Sequence, residues 1–359
     1  MARVVPASRA ALGLLAVLSC WRRRRGVTRV ALPGAVCHEV VVAVLAAGCE
    51  PLFCDVDVTD GLVKESEWMR ARSLGAEVAV VVHLYGNPAP MTRVRSIFPA
   101  PDCLIVDDAA QALGSMSPDG PAGALGDVGL LSFGPTKHIT LGNAALLFRN
   151  RELSEEVISL LRSVESQPEG ARSALAAAFR SRLDLARAQL RSEGDSAARV
   201  FAGLLEGMEG VLQVPVAAGV EEHLLAALED YPNAIAARRA KARRWLHCLA
   251  RSGFEAVGMG AGCVPWRYVC RLPGIQWQQQ HHLTEAMRAG GMHVSNWYLP
   301  AHWFTGLGPG TLPGVERLSR EVFQFWLDQA TSLGSITAQA QVVQRAASRA
   351  RTGGSKCDP

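Results

Sequence analysis

Short apolar runs alternate with stretches of helical periodicity over the first 150 residues of the chain. A strand around Val5 leads into a helix over 9–20, and runs at 29–32, 51–54, 77–84, 103–106, 128–133 and 144–148 read as further strands. The runs at 77–84 and 103–106 lack polar alternation, the mark of strands buried on both faces. A helical pattern at 37–47 ends at Gly48. Strands alternating with helices imply the α/β class, with a mostly parallel sheet covered on both sides. Ligands of such sheets sit beyond the carboxyl ends of the strands, which makes Asp108 and Ser132, at two strand ends, candidate site residues.

From 152 to 228 the pattern is helical and alanine-rich, broken at Gln167-Pro168-Glu169-Gly170 and Val214-Pro215. A long helix is expected over 232–250, then short strands near 264–272 and a helix at 283–289. A tryptophan-bearing stretch follows at 297–304, and final helices at 315–330 and 336–350. The change of texture predicts a large domain over 1–235 and a smaller C-terminal α+β domain over 236–359. No internal repeat is visible.

Composition narrows the class. With 49% hydrophobic and 19% charged residues, the 359-residue chain is a folded globular protein. No apolar run reaches the roughly 20 residues of a membrane span. The longest, 10–20, runs into Trp21 and Arg22 to Arg25, so its basic cluster follows the apolar stretch, the reverse of a signal peptide. A cytoplasmic protein is expected. Nine cysteines without a C-x-x-C pair argue for reduced core thiols and against a metal site. The net charge of +4 is spread over short basic stretches not interleaved with aromatics, so no nucleic-acid or membrane partner is expected.

Only four of the 37 basic residues are lysines: Lys64, Lys137, Lys241 and Lys356. Lys137 lies in an otherwise apolar, glycine-rich segment. Lysine can lose its proton and act as an amine nucleophile, whereas arginine cannot.

Three segments belong together: V-V-H-L-Y-G-N-P (81–88), L-I-V-D-D-A-A-Q-A-L-G-S (104–115) and G-D-V-G-L-L-S-F-G-P-T-K-H (126–138). They supply a carboxylate at the end of a buried strand, and a lysine five residues beyond a strand-end serine. Asp108 and Lys137 are the pair that pyridoxal phosphate requires, a lysine for the Schiff base and a carboxylate to keep the pyridine nitrogen protonated. Taken alone, a strand-end aspartate is more often a helix cap or turn residue.

Together these segments resemble the DegT/StrS-type sugar aminotransferases, fold type I enzymes dependent on pyridoxal 5'-phosphate. The likeness is clear over 27–149, where V-A-L-P-G-A-V-C and A-A-G-C-E-P-L-F-C-D-V-D keep order and spacing, and fainter over 233–330. It implies that Lys137 is catalytic, carrying the cofactor and then shuttling protons. It implies that Asp108 holds the ring nitrogen, Gln111 reaches the ring hydroxyl, Cys37 lies against the ring face and Ser132 binds the phosphate. The Ala7-Ser8-Arg9 turn would offer backbone N–H groups to that phosphate. Tyr85, Tyr298 and His302 fall where substrate-facing groups are expected.

Each has a plainer alternative. Cys37 reads also as a core thiol, Ser132 as a strand-end hydroxyl, and His83, Tyr85, Tyr298 and His302 as satisfied core residues. The chain departs from the family pattern at Ala7-Ser8-Arg9, usually Ser-Gly-Thr, and at Asn143-Ala144-Ala145, usually Glu-Gly-Gly. The activity that the resemblance implies is transfer of an amino group from glutamate or glutamine to a keto sugar, nucleotide-linked, by a homodimer. The alternatives are a catalytically silent homologue acting as a binding or partner subunit, and a sugar dehydratase.

Overall fold

The computed structural model describes residues 3–164, 167–215 and 220–352. Seven strands form the main sheet: β1 (Arg3–Ala7), β2 (Arg29–Pro33), β3 (Glu50–Cys54), β4 (Val78–Val82), β5 (Leu104–Asp108), β6 (Val128–Ser132) and β7 (Ala144–Phe148). Their spatial order is β1-β7-β6-β5-β4-β2-β3. Only β7 runs against its neighbours. The connection from β6 to β7, which carries Lys137, is too short for the crossover that parallel neighbours need, so the chain must return antiparallel. All five residues of β5 are buried, including both aspartates.

Helix α1 (Ala10–Arg25) runs five residues beyond the expected end at 20. The arginine run that follows the apolar stretch forms its last turn, where positive charge complements the helix dipole. Arg24 pairs with Glu156 at 2.6 Å and Arg25 with Asp102 at 3.3 Å. Helix α2 (His38–Ala46) packs beside α1. Among the described residues no helix is long and apolar enough to cross a membrane.

A second sheet collects four short antiparallel strands, β8 (Glu255–Ala256), β9 (Tyr268–Arg271), β10 (Val294–Ser295) and β11 (Val322–Phe325), in the order β8-β9-β11-β10. The helix expected over 315–330 is corrected here. It stops at Glu321 as α4 (Pro313–Glu321), and the next four residues are a central strand. Val322 and the two phenylalanines favour a strand, and β11 gains ladder bonds on both sides. Trp245 stacks on Phe325 with centroids 4.5 Å apart. That tryptophan comes from α3 (Tyr231–Leu249), whose C-terminal half supplies Ala242, Trp245 and Leu249 to the second core. Its first residue, Tyr231, reaches the main sheet's loops instead, with its hydroxyl 2.5 Å from His138 Nδ1.

One glycine sets how the two units meet. Gly86 has φ +96°, and a Cβ there would lie 2.2 Å from the Val264 carbonyl oxygen. Ser115 fastens the same junction, donating to the Gly86 carbonyl at 2.8 Å and accepting from the Val264 N–H at 2.9 Å.

Candidate active site

The carboxyl ends of β1, β6, β5 and β4 share one sheet edge. Ala7 and Ser132 both register with Ala144, and Asp108 sits between Leu130 and Val82. A cavity of about 620 Å³ opens at this edge, walled by Ser8, Cys37, Asp108, Gln111, Ser132 and Lys137 among others. The structure thus brings together six residues proposed from sequence, with Arg9 and Tyr298 on the same wall.

Strand alternation separates the two aspartates. Asp108 faces the cavity, where its Oδ1 accepts the Ala110 N–H at 2.9 Å. Burial raises its pKa, against the opposing pull of that N–H and of Lys137. Asp107 turns away from the cavity into a closed network. It accepts from His83 Nε2 at 2.6 Å and from the Leu125 and Gly126 N–H groups at 2.7 and 3.3 Å. His83 Nδ1 accepts the Ala89 N–H at 2.8 Å, which assigns its proton to Nε2. Burial pushes the Asp107 carboxyl up, but the His83 contact and the backbone donors outweigh it and hold the pKa below the usual value.

Lys137 projects from the β6–β7 connection. Burial lowers the pKa of its amine, while Cys37, Asp108 and Glu39 pull the other way and Arg267 adds to the lowering. Its Nζ lies 5.4 Å from the centroid of Trp266, whose indole N–H donates to the Thr136 carbonyl at 2.6 Å. Burial pushes the Cys37 thiol up to about 12, so the side chain stays a neutral, polarizable surface at the cavity wall.

The Ser8-Arg9 turn leads from β1 into α1. No side chain caps the helix. Ser8 Oγ is buried at the cavity wall and has no hydrogen-bond partner among the described residues. The Arg9 side chain is committed elsewhere, to Glu39 at 3.1 Å and the Val211 carbonyl at 3.2 Å. What this turn offers the cavity is a hydroxyl and a helix N-terminus, the chemistry of an anion site. Ser132 completes that end of the cavity, its hydroxyl meeting, among the described residues, only a long 3.5 Å contact from the Gly134 N–H.

Gln111 is held at both ends of its amide. Its Oε1 accepts the Tyr85 N–H at 2.8 Å and its Nε2 donates to the Tyr298 hydroxyl at 2.5 Å, leaving one amide hydrogen uncommitted by these bonds. Tyr85 is not part of the cavity wall, and its buried hydroxyl faces Gln324 and Arg267. His302 requires a correction. It is fully buried away from the cavity, with Nε2 3.0 Å from Glu316 and its ring near Phe53. The glutamate offers a buried imidazole N–H an acceptor in the core, so the side chain turns there.

Trp266, Arg267, Trp297 and Trp326 also line the cavity. Sequence reasoning singled out none of them for this role. Their local signal is an ordinary apolar strand and its flanks, and only the second sheet carries them to the first.

The profile of the DegT/DnrJ/EryC1/StrS aminotransferase family matches residues 14–192. The chain belongs to this family. Among curated relatives of this family member, a pleiotropic regulatory protein of Geobacillus stearothermophilus is 28% identical over 42% of the chain and 40% of its own length. A dTDP-3-amino-3,4,6-trideoxy-alpha-D-glucose transaminase of Micromonospora megalomicea subsp. nigra is 26% identical over 79% of the chain and 69% of its own length. The first alignment therefore spans well under two thirds of the relative. The solved structure of DesI in the presence of its TDP-sugar product superposes with a TM-score of 0.74 at 20% identity, covering 99% of this chain and 83% of that one. The expected α/β fold of these aminotransferases is thus the fold of this chain.

Proposed function

We propose that this family member is an aminotransferase dependent on pyridoxal phosphate, with a large cofactor-binding domain over 1–235 and a small domain over 236–359. The observation that carries the reading is the meeting of Lys137 and Asp108 in one cavity, close enough that each bears on the other's charge. The unpartnered Ser8 hydroxyl at the uncapped start of α1 fits the cofactor's phosphate. Ser132 and the same backbone N–H groups would share it. When bound, the cofactor supplies an electron-withdrawing ring that lets a proton leave the carbon bearing the amine.

The chain's own groups do the rest. Asp108 holds a proton at the ring nitrogen, and its buried position keeps water from competing for the contact. Lys137, whose amine burial makes easier to deprotonate, attaches the cofactor and then moves the proton at the donor's carbon. Cys37 packs against one ring face, and the remaining Gln111 amide hydrogen is available to the ring hydroxyl. Glutamate or glutamine is the donor in this reading, and a keto sugar, nucleotide-linked, the acceptor. The working unit is a cytoplasmic homodimer.

The test is borohydride reduction of the purified protein after loading with pyridoxal phosphate, followed by peptide mapping. A pyridoxyl group on the Lys137 peptide, together with amine transfer from glutamate or glutamine to a nucleotide-linked keto sugar, is expected. Labelling of another lysine, or of none with cofactor in excess, refutes it.

A further inference from the structure

Arg267 is the charged group of the cavity that the reading above leaves without a task. It precedes β9 and is only 7% exposed. Its guanidinium carbon lies 4.0 Å from the Trp266 centroid and 3.6 Å from that of Trp326. One N–H donates to Gln324 Oε1 at 3.0 Å. Tyr298 and Tyr85 bear on its charge, that charge in turn reaches Lys137, and among the described residues no carboxylate pairs with it. Burial lowers its pKa to about 10, so it remains a cation at neutral pH.

Elsewhere in this chain a buried arginine is paired. Arg271, four residues on and equally enclosed, bonds Glu321 at 2.8 Å and also Glu255. A buried cation without a counter-ion is costly, and an anion arriving from outside would relieve that cost. Two indoles cover the guanidinium faces, so its rim N–H groups are what it presents. A planar donor fork matches a carboxylate in bidentate geometry. Its neighbour in the cavity is the reactive amine. Lys137 and Arg267 approach the same indole, and the arginine's charge reaches the lysine. An amino acid delivering its nitrogen at Lys137 carries a carboxylate within the same few ångströms.

We infer that Arg267, held flat by Trp266 and Trp326, binds a carboxylate of the amino-acid donor. This rests on the aminotransferase reading, and it makes the second sheet, not the cofactor sheet, the part that selects the donor. The phosphate of a nucleotide-linked acceptor shares the anionic chemistry, so the test separates the two sources.

Glutarate, a five-carbon dicarboxylate that cannot react, and a nucleoside diphosphate, dTDP, are titrated calorimetrically into the 359-residue chain loaded with pyridoxal phosphate. Arg267→Gln is expected to weaken glutarate about tenfold or more, as for loss of a charge-assisted bond, while dTDP binding stays within about twofold. Arg267→Lys restores part of the loss. Trp326→Leu, which keeps the charge but releases one face, weakens glutarate less than Arg267→Gln does, and it answers the question should that variant fail to fold. Failure of the wild type to bind glutarate, an unchanged glutarate affinity in the variants, or a loss of dTDP binding equal to or larger than that of glutarate overturns the assignment. The titration needs no turnover. Absence of the pyridoxyl label on Lys137 would remove the aminotransferase reading while leaving the Arg267 result to be judged by itself.

Discussion

Replacing each of the adjacent aspartates by asparagine should produce opposite phenotypes. Asp107 accepts three hydrogen bonds with no exposure to water: one from His83 Nε2 and two from the Leu125 and Gly126 N–H groups. An asparagine has one acceptor and one NH2 group. Whichever way the amide turns, its hydrogens face either His83 Nε2–H or the backbone donors. The histidine cannot yield, because Nδ1 already takes the Ala89 N–H. One buried donor loses its partner and another is opposed, a cost of about 3 kcal/mol. At roughly 2 to 3 °C per kcal/mol for a chain of this size, that lowers the melting temperature by about 6–9 °C.

Asp108 accepts a single N–H, from Ala110, and its buried charge is a burden on the apo fold, since its pKa is raised. Asp108→Asn should leave the melting temperature unchanged or higher and abolish transamination. Thermal unfolding by circular dichroism and a turnover assay well below the transition measure both. The reasoning is refuted if Asp108→Asn is the more destabilising of the two, or if Asp107→Asn melts like the wild type. The same network gives a pH dependence. The Asp107 pKa is lower in the folded chain than the usual 3.8, so its stabilisation is present above that value and is lost as the pH falls through the folded value.

Ser8→Ala removes a hydroxyl that bonds nothing among the described residues, so it should keep the melting temperature and weaken pyridoxal phosphate binding several-fold, read by fluorescence titration. Gly86→Ala combines a left-handed φ with a 2.2 Å approach to the Val264 carbonyl and should destabilise by about 3 kcal/mol, seen in denaturant unfolding. Light scattering during size-exclusion chromatography at micromolar concentration should show a dimer, for which an interface on the order of 2,000 Å² is typical. A stable monomer that still transaminates would place the whole site within one chain.

Much of the site was legible because its signals are local. Lys137 stands out in a lysine-poor chain, and Asp108 and Ser132 close apolar runs whose burial follows from composition alone. The alternation of a strand separates Asp107 from Asp108 without any knowledge of the fold. The direction each faces is a different matter, since it depends on His83, 24 residues away, packing behind β5. The same limit explains the other differences. Residues 322–325 continue a helical pattern until β9, about fifty positions earlier, offers them a ladder. His302 sits in the expected stretch, but Glu316 draws it into the core. Arg267 has no local mark of function at all. Its meaning comes from two indoles on its faces and the missing carboxylate partner, and those are set when the second sheet closes over the first. Chain-local chemistry and periodicity are written in neighbouring residues, whereas the pairing of distant segments decides which side chains share a cavity.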